Sequence, residues 1–217
     1  MEKEKKIPNN LRILLIILTI FQFIFCYRKR IWEDKDWETL GKKAAIYFSD
    51  PSPKNTSEFL EALPRYKLEK LNKDVYEYLF KYENIKIIER QILAEDNEVI
   101  DIVYRLFFIA DGHSAEMLIM ILNKLIHVNP NLYLEKLKVH QDDYLIKARG
   151  LFFLCYTANL NSEEEALIEK NQRIEALKRV KDKKLIEIRD RCIEELKGCK
   201  NTFENIIKEM KTKKISE

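Results

Sequence analysis

The sequence predicts an all-α protein, built from short antiparallel helices stacked in the manner of an α-solenoid and preceded by a hydrophobic anchor helix. Three observations predict it. From Asn55 onward apolar residues recur every three or four positions, helix-capping residues punctuate that pattern at intervals of about ten to eighteen residues, and strand-like alternation over six or more positions is hard to find. With 217 residues, 46% of them apolar, the chain is long enough for a single buried core.

Residues 1–30 form the first segment. Positions 13–25, from Ile13 to Phe25, carry no charge and follow a lysine-rich start, which is the pattern of an export signal. No small-residue cleavage motif follows, because Phe25, Cys26 and Tyr27 close the run. With Leu11 and Tyr27 included and Arg12 reaching toward the interface, the stretch 11–27 attains the lower length limit of a membrane span, so an uncleaved signal-anchor is expected. Cys26 resembles the lipid-modified cysteine of bacterial lipoproteins and is the candidate lipidation site, although Phe25 stands where those signals carry a small residue. Basic residues flank the run on both sides, Lys3, Lys5, Lys6 and Arg12 before it and Arg28, Lys29 and Arg30 after it. The expectation is a membrane-anchored protein of the cell envelope, its body exported rather than cytoplasmic.

Residues 31–54 read as a juncture, with Trp32 and Trp37 near its start and Pro51 and Pro53 near its end, where two prolines stop any preceding helix. Residues 55–161 read as the helical core. Asn55 with Glu58 suggests a capping box, and Asn129–Pro130 an N-cap followed by proline at the first helical position. Gly112 is placed to end one helix. Val75, Leu79 and Tyr82, then Ile85, Ile88 and Ile92, then Val99, Val103 and Leu106 form successive stripes. Met117–Leu122 and Leu151–Cys155 are apolar on almost every face, so both are expected to be central helices, and both are too short to cross a membrane.

Residues 162–217 hold fifteen basic and thirteen acidic side chains around a narrower stripe of Leu185, Ile188, Cys192, Leu196, Cys199, Phe203, Ile206 and Met210, the signature of amphipathic helices. Ser162 with Glu165 suggests a further capping box, and Glu163–Glu165 an acidic first turn. Cys192 and Cys199 lie seven residues apart, about 10 Å along a continuous helix and too far for a disulfide, so unbridged thiols on one face are expected; a helix ended at Gly198 would instead let Cys199 fold back and bridge to Cys192.

Asn55–Leu63 and Asn129–Leu137 align at a spacing of 74 with Asn, Leu, Glu and Leu identical, which is either an internal duplication or two similar capped helices. Trp37-Glu-Thr-Leu-Gly41 looks like the opening of a tetratricopeptide repeat, but Pro51 and Pro53 fall where its second helix would run. The arrangement of 55–197, short helices meeting at polar turns, resembles HEAT and armadillo-type repeats. Around Ala110–Glu116 and Asn129–Leu137 the chain is also similar to bacterial envelope-associated helical proteins of unassigned activity. Neither resemblance implies a catalytic residue.

Composition excludes several chemistries. Gly41, Gly112, Gly150 and Gly198 are at least 38 positions apart, so no glycine-rich phosphate loop or nucleophile elbow can form. The net charge of +3 is local: residues 1–30 carry seven basic side chains against Glu2 and Glu4, leaving the other 187 residues at −2, which speaks against nucleic acid as a partner. His113, His127 and His140 have no second histidine or cysteine at helical spacing, and no C-x-x-C or H-E-x-x-H occurs; no metal, cofactor or catalytic residue is assigned. Asp111, His113, Ser114 and Glu116 place acid, base and hydroxyl within six positions, where helix capping competes with catalysis as the explanation. Phe107, Phe108, Phe152, Phe153, Tyr76, Tyr78, Tyr82 and Tyr104 are read chiefly as core, with Tyr76 and Tyr78 unable to face inward together on one helix.

The functional expectation is a membrane-tethered helical scaffold that binds another protein or a peptide. The alternatives are a hydrolase using the Asp111–Glu116 junction and a lipid-binding helical module. If residues 11–27 alone attach the chain to the bilayer, residues 31–217 will be soluble and give a helical circular dichroism spectrum. A shortened chain that still sediments with membranes contradicts this.

Overall fold

A computed structural model describes residues 32–141, 151–156 and 163–199. The expected anchor over 11–27 and Cys26 lie outside these residues, as do Ser162 and the stripe from Phe203 onward. Among the described residues the protein is all-helical, and no helix is long and apolar enough to cross a membrane.

Helix α1 (Asp34–Ser49) occupies much of the stretch expected to be a juncture. Its first turn carries Asp34 and Asp36, favourable at the positive end of the helix dipole. Trp37, Leu40, Ala44, Tyr47 and Phe48 fall on one face and are buried against α2 (Pro53–Ala62) and α3 (Lys73–Leu79). Tyr47 stacks on Phe59 of α2 with ring centroids 4.9 Å apart. Pro53 starts α2 rather than only ending what precedes it: its fixed φ suits the first helical turn, and its missing N–H is one the helix leaves unpaired anyway. Ser52 is therefore the N-cap residue, and Asn55 sits inside the helix with its amide donating to Asp50. The expected Asn55–Glu58 capping box does not form.

The next two helices are separated at Phe80–Lys81, so Tyr82 opens α4 (Tyr82–Leu93) and is exposed instead of continuing the stripe of Val75 and Leu79. Asn72 caps α3 by accepting from Val75 N at 3.1 Å, and Asp96 caps α5 (Asn97–Leu106) by accepting from Glu98 N and Val99 N at 3.0 and 3.2 Å. Between α4 and α5 Glu95 adopts a left-handed backbone, φ 64°, unusual for a residue other than glycine. Its carboxylate accepts from the Asn129 amide at 2.7 Å. Asn129 Oδ1 in turn accepts from Leu132 N at 3.0 Å, capping α7 (Pro130–Val139) as the sequence predicts; such a cap is worth about 1 kcal/mol.

Helix α6 (Gly112–Val128) lies at the centre. It packs against α4, α5, α7, α8 (Glu163–Lys178) and a 3-10 turn (Phe152–Cys155). Leu118, Ile119, Ile121, Leu122, Leu125 and Ile126 are all buried, which bears out the expectation that Met117–Leu122 is central. Gly112 opens this helix and does not end the previous one, which stops at Leu106. The second apolar segment differs from expectation: Leu151–Cys155 supplies a single 3-10 turn, whose Leu154 and Cys155 are buried.

The helices containing Phe59 and Tyr133 share their apolar phase at the spacing of 74, since both aromatics and both Leu63 and Leu137 are buried. Their caps do not share it, because Asn129 is a cap and Asn55 is the third residue of its helix.

Residues 186–199 are helical without interruption, with Ile188, Cys192, Leu196 and Cys199 on the buried face as the stripe predicts. Cys192 and Cys199 are not bridged to each other. Cys192 is a free buried thiol whose pKa burial pushes up to about 12, whereas Cys199 forms a disulfide with Cys155, their Cα atoms 6.0 Å apart. That pairing joins the 3-10 turn to the last described helix across 44 positions of sequence, a partnership that residue spacing cannot reveal.

Candidate functional site

Among the described residues, no element covers one face of α6. Along it lie His113, Glu116, Met117, Met120, Lys124 and His127, at the three- and four-residue spacing of a single helical stripe. They form the floor of a groove of about 690 Å³, walled on one side by Tyr82, Ile85, Lys86 and Glu89 of α4 and on the other by Glu169 and Arg173 of α8, with Tyr156 at the end of the 3-10 segment. The volume is typical of a binding cleft.

Its charges are arranged in pairs. Glu89 on α4 is largely buried and bonds to Lys86 at 2.6 Å and to Lys124 across the floor. Burial raises its pKa, but the two lysine hydrogen bonds outweigh that effect and hold it below the usual carboxylate range. At the other end, Glu169 Oε1 lies 2.8 Å from His127 Nε2 and accepts from Arg173 Nε at 3.0 Å. The His127 hydrogen bond, opposed by burial and aided by the Arg173 charge, lowers Glu169 to about 2. Between the two ends, burial and the Glu116 carboxylate raise the Tyr156 phenol to about 12.

Arg173 also shapes the groove. It is 5% exposed, and its Nη1 donates to the carbonyl oxygens of Leu154 and Tyr156 at 2.7 and 3.0 Å, tying the 3-10 segment to α8. One turn earlier Lys170 is fully buried, and burial, together with the nearby Arg173 charge, lowers its pKa to about 8. These two cations occupy inward positions of a stripe completed by Ala166, Ile174 and Leu177.

The residues singled out from the sequence are divided by the structure. Asp111 is the N-cap residue of α6, yet its side chain makes no cap bond and accepts instead from the Tyr76 hydroxyl; Ser114 Oγ lies 2.6 Å from the same hydroxyl. His113 and Glu116 line the groove. Acid and hydroxyl are thus gathered by Tyr76 of α3, while the other two members serve the α6 floor. His127 belongs to the groove, and His140 to a separate tie between α5 and α7: His140 Nε2 is 2.9 Å from Asp101 Oδ1, Lys136 bonds the same carboxylate, and the imidazole stacks on Tyr104 at 4.0 Å. Phe107, Phe108 and Tyr104 are buried as expected, whereas Tyr76 and Tyr78 are each partly exposed and Tyr82 lines the groove.

Sequence reasoning did not assemble Glu89, Lys124, His127, Glu169 and Arg173. The stripe along α6 was readable; the walls depend on tertiary packing. No protein-family model, curated protein or solved structure matches the chain.

Glu169's depressed pKa fixes the sign of its pH dependence. Its contribution to stability is fully present above the ordinary carboxylate value of 4.5 and is lost as pH falls toward about 2. In urea titrations Glu169→Gln is expected to cost about 1–3 kcal/mol at neutral pH, with the difference from the parent shrinking as pH falls from 4.5 to 2. Parallel pH profiles for the two proteins would show that the His127–Glu169–Arg173 cluster does not form.

Proposed function

We propose that this chain is a helical protein-interaction module, tethered to a membrane through residues 11–27, that receives a segment of a partner polypeptide in the groove over α6. The observation that carries this reading is the groove of mixed apolar and charged side chains that α4, α6 and α8 form among the described residues. Methionine and tyrosine, in the form of Met117, Met120, Tyr82 and Tyr156, supply its adaptable apolar surface, and such residues favour protein recognition. The carboxylates and cations beside them are already engaged with one another, so the groove offers no strong net field to a small charged ligand. Paired charges interleaved with methionine and tyrosine suit a peptide with both apolar and polar side chains.

The solenoid-like stacking suggested by the sequence is part of this proposal, as is the anchor; the uncharged run 13–25 with its basic flanks supports the latter. The Cys155–Cys199 disulfide supports an exported body, because such bonds persist in oxidising compartments. The hydrolase alternative draws less support, since the Ser114 hydroxyl is engaged by Tyr76. The lipid-binding alternative must accommodate ionisable groups on the floor and both walls.

A photo-crosslinking residue at Met120, introduced into the full chain in cells, tests the groove. The expected product is a discrete protein adduct that is absent when the same residue replaces Lys138. Adducts common to both positions, or a lipid adduct at Met120, would overturn the reading.

A further inference from the structure

We propose that Cys155 and Cys199, once reduced, form with Glu195 a three-ligand zinc site. This inference is independent of the groove reading and concerns a different region of the fold. One donor atom from each of these residues lies within 4.8 Å of the others. Glu195 and Cys199 are four residues apart in the continuous helix 186–199, so they share a face before any ion arrives. Cys155 is brought to them by the 3-10 turn, whose flanking carbonyls at Leu154 and Tyr156 are held by buried Arg173.

The donor set selects the ion. Two thiolates and one carboxylate suit borderline zinc, while magnesium and calcium require oxygen ligands throughout. Three protein ligands leave the fourth tetrahedral position open, as in zinc sites that bind water. Beside Cys199 and Glu195 lies a hollow of about 870 Å³ that also borders Glu187, Asp190, Arg191 and Glu194; Asp190 is paired with Arg189 and Glu194 with Lys197.

Formation of the site requires a thiol reductant. Two reductant thiols give up two electrons and two protons and become a disulfide; the Cys155–Cys199 bond breaks, and each sulfur becomes a thiol. Zinc then displaces both thiol protons to solvent as two Zn–S bonds form. The sulfurs part from about 2.05 Å to roughly 3.8 Å, the tetrahedral edge for Zn–S bonds of about 2.3 Å. Disulfide and zinc are thus mutually exclusive occupants of one junction, chosen by the redox state around it.

The test uses the full chain carrying Cys26→Ser and Cys192→Ala, so that Cys155 and Cys199 are its remaining cysteines. Zinc is titrated against a chromophoric chelator before and after reduction by a phosphine that is then removed. The expected result is one zinc per chain after reduction and none before it. Glu195→Gln should weaken binding by at least the roughly tenfold that loss of even an outer-shell partner costs. Replacing both cysteines by serine should abolish binding. Equal zinc uptake by the oxidised and reduced parent, or unchanged affinity in Glu195→Gln, overturns the proposal. The oxidised-against-reduced comparison alters no ligand, so it decides the matter even if a substituted chain fails to fold.

Discussion

Burial of α6 is the constraint on which the rest of the structure depends. A 17-residue helix with Leu118, Ile119, Ile121, Leu122, Leu125 and Ile126 distributed around it cannot be covered by one neighbour. Helices α4, α5, α7 and α8 and the 3-10 turn all pack against it. The face that the described residues leave to the groove carries Met117, Met120, Lys124 and His127, on the same helix as the core residues Leu118, Ile121 and Leu125.

A second dependence runs outward from α8. Lys170 and Arg173 sit on its inward stripe, and isolated cations there would be costly. Arg173 is stabilised by Glu169 and by the carbonyl oxygens of Leu154 and Tyr156. The same bonds fix a short segment that has little regular structure of its own. That segment delivers Tyr156 to the groove and Cys155 to Cys199, so one buried guanidinium bears on both regions of the protein.

The fold class was legible because helical periodicity and caps act locally. The stripes through Ile88, Val103 and Leu196 and the Asn129–Pro130 cap all depend on residues within a few positions of one another. Pro53 shows how local signals can still mislead: the same residue that stops one helix begins the next, and the apparent Asn55 cap falls inside it. The α8 stripe was hidden because Lys170 and Arg173 look like a solvated face until their partners are known. Likewise the Cys155–Cys199 bridge spans 44 positions, and Tyr76 reaches Asp111 and Ser114 from another helix. Nothing in residue spacing encodes those approaches. About the groove, the sequence shows which side chains α6 could present and is silent on which would remain uncovered.

Native-state hydrogen exchange tests the central claim most directly, because amides that open only on global unfolding mark the element that the others enclose. The account predicts that the backbone of residues 118–126 exchanges most slowly of all, at the free energy of complete unfolding. Faster exchange in 118–126 than in α4, α5, α7 or α8 would contradict it, since α6 could then open while the helices that enclose it stayed folded.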